Sequence, residues 1–171
     1  MKILRLIPIL LVTFGTLPLT NNSAFANDVD PNSYKVLNIN NNISSLSIQN
    51  YLKKGDSAIK KGDFDAAKES YDKARNLAKQ LSSFYRDLNS SFRGLDARIP
   101  KEMDKKGRES IELWAESNSR LAAYYNSKKQ SEVAVPLLVE IIRLMGPSSP
   151  QGKEAYKNLI EIGFVETPFN G

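Results

Sequence analysis

Glu109, Glu112 and Glu116 follow one another at i, i+3 and i+7, a spacing that sets three carboxyl groups on one face of an α-helix. A carboxylate pair is what remains of general acid–base chemistry here. The sequence holds no histidine and no cysteine, so the commonest general base, the thiol nucleophile and the usual transition-metal ligands are all missing. A solvated acidic face predicts the same spacing without any reaction and is the preferred reading. No catalytic, cofactor-binding or metal-ligating residue is therefore assigned, and the chain is expected not to be an enzyme. Lys53, Lys54, Lys60 and Lys61 read first as solvated surface and second as a docking patch for an acidic partner or an anionic membrane. Trp114, Tyr124 and Tyr125 read as core aromatics rather than a ligand cage.

The elements that must position these residues begin after a leader. Lys2 and Arg5 precede an uncharged apolar run from Leu6 to Leu19, and Ala24-Phe25-Ala26 supplies the small residues of a signal-peptidase site. The run is short for a membrane span and is interrupted by Pro8, Gly15 and Pro18. Cleavage after Ala26 is expected, which places the protein in the periplasm or a thylakoid lumen. Losing residues 1–26 removes Lys2 and Arg5 and no acid, so 24 basic residues become 22 against 19 acidic ones, a net of +3. So mild a charge in an exported chain argues against nucleic acid as a partner. Residues 27–45, rich in Asn, Ser and Asp, read as a polar spacer.

From residue 46 to 165 the pattern is helical throughout. Ile48, Tyr51, Leu52, Gly55 and Ile59 form one stripe, capped by Ser45 or Ser47 and ended by Gly62. Asp63 opens a helix in which Ala67, Tyr71, Ala74, Ala78, Leu81, Tyr85, Leu88 and Phe92 keep an unbroken heptad rhythm, predicting one element of nearly 30 residues. Gly94 and Pro100 bound a turn at 94–100, with Ile99 disfavoured as helix by the proline after it. A second long helix carries Met103, Ile111, Trp114, Leu121, Tyr124 and Tyr125, and 126–129 closes it. A fourth begins near Gln130 or Ser131, with Pro136 taken as close enough to its start to forfeit no hydrogen bond. A fifth spans about Gln151 to Ile162, after which Gly163 and Pro168 release a tail at 166–171.

Tyr51, Gly55, Gly62, Ala67, Tyr71 and Ala74 resemble the tetratricopeptide repeat (TPR), a helical hairpin of about 34 residues whose small residues let two helices approach. Ala122, Tyr125, Ala134, Leu138 and Ile141, with Pro147 beyond, form a weaker second match 67 positions on, without a turn glycine. The resemblance implies an all-α fold: antiparallel helical hairpins in a TPR-like right-handed array of about five helices, two of them elongated. Three regular repeats would need a turn near Lys79–Ser83, through which the heptad runs straight. Glu109-Ser110 resembles the opening of a lytic transglycosylase signature, but the glycine-rich motif that should follow is missing.

The family lines its concave groove with residues that match Leu52, Asp56, Ile59 and Lys60 in the first unit and Ser119, Ala123 and Asn126 in the second, so the resemblance makes these the candidate partner-binding residues. Leu52 and Ile59 are equally well read as core. Because Leu52 and Asp56 stand where some relatives clamp a peptide C-terminus with Lys and Asn, chaperone-tail binding is not expected. The resemblance implies a protein or peptide partner and a role in assembly or tethering of an envelope or thylakoid complex. The rival is a structural helical-bundle subunit peripherally docked on a membrane complex.

Overall fold

The structure is a computed structural model and describes residues 43–169. The leader at 1–26 and the spacer as far as residue 42 lie outside them. The described residues form five α-helices and no strand: α1 Ser45–Lys60, α2 Phe64–Phe92, α3 Arg98–Ser127, α4 Ser131–Met145 and α5 Pro150–Glu161. None is long and apolar enough to cross a membrane.

Local chemistry sets most of the boundaries. Ser44, one residue before the predicted caps, is the α1 cap, its Oγ accepting the Ser47 N–H at 3.1 Å. At the other end of α1, Gly62 N–H donates to Ile59 O and Asp63 N–H to Ala58 O, both at 3.0 Å, a closure that requires the positive φ (76°) of Gly62. Asp63 then caps α2 by accepting Ala66 N–H at 3.0 Å. The α3–α4 turn repeats this pattern: Lys129 N–H donates to Asn126 O and Gln130 N–H to Tyr125 O, both at 2.9 Å. Lys129 takes the left-handed conformation (φ 57°) that Gly62 takes 67 positions earlier. Ser149 caps α5, accepting Gly152 N–H and donating to Gly146 O, both at 2.9 Å.

Two predicted boundaries shift. Ile99 is helical, because α3 starts at Arg98 and Pro100 sits in its first turn, where the missing amide has no acceptor to lose. Pro136 is the sixth residue of α4, past the amides that lack an acceptor, so one backbone bond is forfeited on an exposed face and the helix continues. The tail also differs from the expectation. Tyr156 donates its hydroxyl to Thr167 O at 2.7 Å and stacks edge-on with Phe169, folding the segment back on α5.

The core gathers Ile48 and Leu52 of α1, Ala67, Tyr71, Ala74, Ala78 and Leu81 of α2, Leu113, Ala115, Leu121 and Ala122 of α3, Leu137, Leu138 and Ile141 of α4, and Ala155 and Leu159 of α5. A Cβ on Gly55 would overlap the Tyr71 ring, so this glycine exists to admit an aromatic side chain. α2 runs unbroken through 79–83. Past Tyr85 its stripe changes. Leu88 is exposed, while Asn89 is buried and donates to Pro100 O at 2.9 Å and Asp104 Oδ1 at 2.8 Å. The start of α1 shares a depression with Tyr85, whereas Arg86 and Asn89 line another with Met103, Asp104 and Gly107 of α3 and Leu144 of α4.

Candidate functional site

Two polar networks fix the helices around the candidate groove. In the first, Arg75 of α2 donates from Nε to Asn118 Oδ1 of α3 and from Nη2 to Glu140 Oε2 of α4, both at 2.7 Å, while Asn118 Nδ2 donates to the same Glu140 oxygen at 2.9 Å. Asn118 is fully buried, so this triad must be satisfied within the protein. Burial pushes the Glu140 carboxyl up, but hydrogen bonds from Arg75 and Asn118 outweigh it and hold the group below its ordinary value. Trp114 Nε1 is buried without a well-formed hydrogen bond, yet lies near enough to Glu140 to help keep it ionised.

In the second network, Arg120 of α3 donates from Nε to Asp56 Oδ1 at 2.8 Å, from Nη2 to Asp56 Oδ2 at 3.1 Å and from Nη1 to Glu116 at 2.9 Å. Tyr71 adds its hydroxyl to Asp56 Oδ1 at 2.8 Å. Arg120 holds the Asp56 carboxyl below its ordinary range, against the opposing effect of burial and with help from Tyr71. Burial and the neighbouring carboxylate push the Tyr71 phenol up to about 12.

The candidate groove residues divide into two groups. Ser119, Ala123 and Asn126 are exposed and line one cleft of about 480 Å³ with Leu138 of α4, Glu154 and Asn158 of α5, and Ile162 just past its end. It runs into a second cleft, of about 540 Å³, which shares Ser119, Leu138, Glu154 and Asn158 and adds Glu112, Glu116, Arg120 and Gln151. In the first unit, Leu52 is core, Ile59 is 38% exposed, Lys60 is exposed and Asp56 is half-buried in its ion pair. Asp56 meets the second group through Arg120, a residue that sequence reasoning passed over.

The three spaced glutamates also separate. Glu112 and Glu116 line the cleft, while Glu109 lines another depression with Leu46, Tyr85 and Lys106. The α5 contribution was missed, although Gln151, Glu154 and Asn158 share the i, i+3, i+7 spacing of the glutamates. That spacing marks a polar helical face and cannot say whether the face meets solvent or a groove.

The floor of the joint cleft is apolar, from Leu138, Ile141 and Ala155, and its walls carry carboxylates, amides and a hydroxyl. Such a surface can bury side chains while pairing a ligand backbone with the amides. No protein-family model, curated protein or solved structure matches this chain.

Proposed function

We propose that the protein is an exported, non-catalytic interaction module, a TPR-like right-handed array of antiparallel hairpins that holds a protein or peptide partner in the cleft between α3, α4 and α5. The observation that carries this reading is the convergence of Ser119, Ala123 and Asn126 with Glu154 and Asn158 of the last helix on one continuous cleft. The hairpin arrangement is supported by the register of contacts. Asn89 meets Asp104 and Arg75 meets Asn118, so numbers fall on α2 as they rise on α3. It is supported further by the two turns that close alike 67 positions apart. The leader would send the chain to the periplasm or a thylakoid lumen for the assembly or tethering of a membrane-associated complex.

A photo-crosslinking residue placed at Ser119 or Asn126 should capture a discrete partner in cells, whereas one at Lys101, outside the cleft, should not. Capture from Lys101 alone would favour the bundle-subunit reading. That reading draws on Phe84, Leu88 and Leu95, which are 44%, 44% and 79% exposed on and beyond the far half of α2.

A further inference from the structure

The cleft has an electrostatic character that the chain as a whole does not share. The sequence is net basic, with 24 Lys and Arg against 19 Asp and Glu, yet the cleft is lined by Glu112, Glu116 and Glu154. Its one lining cation, Arg120, is committed to Asp56 and Glu116. Among the described residues Glu112 and Glu154 have no Lys or Arg within ion-pair distance. A concave surface with an apolar floor and a net charge of one sign concentrates a ligand of the opposite sign.

The charge is also unevenly distributed along the cleft. Glu112 and Glu116 line only the part that also holds Gln151, Glu154 lines both parts, and the continuation past Ser119 toward Asn126 adds only neutral groups, Ala123 and Ser127 among them. Along α3, the 14 residue steps from Glu112 to Asn126 rise about 21 Å, which matches about six residues of extended peptide. We infer that the cleft takes an extended basic peptide of about six residues, its Lys or Arg side chains seated against Glu112 and Glu154 and its backbone along Ser119 and Asn126. This specificity rests on the interaction-module reading above.

The test uses the intact protein and rhodamine-labelled hexapeptides of Ser and Ala that carry two Arg at one end, two Glu at that end, or no charge, with binding read by fluorescence anisotropy. The two-Arg peptide is expected to bind about tenfold or more tighter than the other two, with a preference that shrinks as salt rises. Glu112→Gln combined with Glu154→Gln should abolish that preference, while Glu102→Gln, which alters a carboxylate paired with Lys106 away from the cleft, should leave it intact. Circular dichroism of each variant confirms that the helices persist. Equal binding of all three peptides, or a preference that survives the double variant, overturns the basic specificity and leaves the interaction reading standing. Failure of every peptide to bind overturns the basic-peptide specificity, and crosslinking from Ser119 and Asn126 then decides the interaction reading by itself.

Discussion

Arg120 grips both carboxylate oxygens of Asp56, 64 residues earlier in the chain, with N–O distances of 2.8 and 3.1 Å, and so ties α1 to α3 at the edge of the cleft. Both side chains are about a third exposed, so the pair contributes on the order of 1 kcal/mol rather than the value of a fully buried one. Its consequence for binding experiments is direct. Replacement of Asp56 is expected to lower the melting temperature as well as any affinity, whereas Asn126→Ala, an exposed change, should leave the melting temperature unaltered.

The same pair sets a pH dependence. Asp56 and Glu140 are both held below their ordinary values of 3.8 and 4.5 in the folded state. A depressed carboxyl stabilises fully above its unfolded value, and that contribution disappears as pH falls through the folded one. Thermal stability should therefore be flat near neutrality and drop below about pH 4.5. The double change Asp56→Asn and Glu140→Gln should flatten the acid limb while lowering the neutral plateau. An acid limb of unchanged steepness would show that other carboxylates carry it.

Gly55→Ala should destabilise by roughly 1 to 3 kcal/mol, because the new Cβ overlaps the Tyr71 ring. Made together with Tyr71→Leu, the change should cost distinctly less than the sum of the two single changes, the signature of two residues competing for one volume. Additive losses in denaturant titration would mean that the ring is not what the glycine admits.

Ser82→Pro falls in the interior of the 29-residue α2 and should cost roughly 3 kcal/mol or more, through one lost backbone bond and a clash one turn back. An unchanged melting temperature would require a break in the helix near 79–83.

Lys129 holds a left-handed conformation without being glycine, so Lys129→Gly should stabilise by up to about 1 kcal/mol. The reverse test is Gly62→Lys at the matching turn, which should destabilise by a similar amount. Side-chain packing does not confound that comparison, since nothing lies within 4 Å of where the Gly62 Cβ would be.

Intact mass of the protein recovered from its own compartment should begin at Asn27. Retention of Met1–Ala26 would identify those residues as an anchor.

What the sequence determined alone was everything written in local spacing. The 3.6-residue stripes, the glycines at 62, 94, 146 and 163 and the capping Asp63 are decided by contacts within a few residues, so all five helices and the long uninterrupted α2 were legible before any packing was known. The two turns that close alike, at Gly62 and at Lys129, lie 67 positions apart, the offset at which the spacing of small residues recurs. Tertiary structure decided what depends on where helices end relative to one another. Asn89 rather than Leu88 is buried because it meets Pro100 and Asp104 of α3, in a depression that Met103 and Leu144 also line. Glu112 and Glu116 share a cleft that Glu109 does not reach, although all three lie on one predicted face. Arg120 finds Asp56, and Arg75 finds Asn118 and Glu140, across 64, 43 and 65 residues of chain. Periodicity places a side chain on a face of its own helix, but only the docked partner helix determines which charge that face meets.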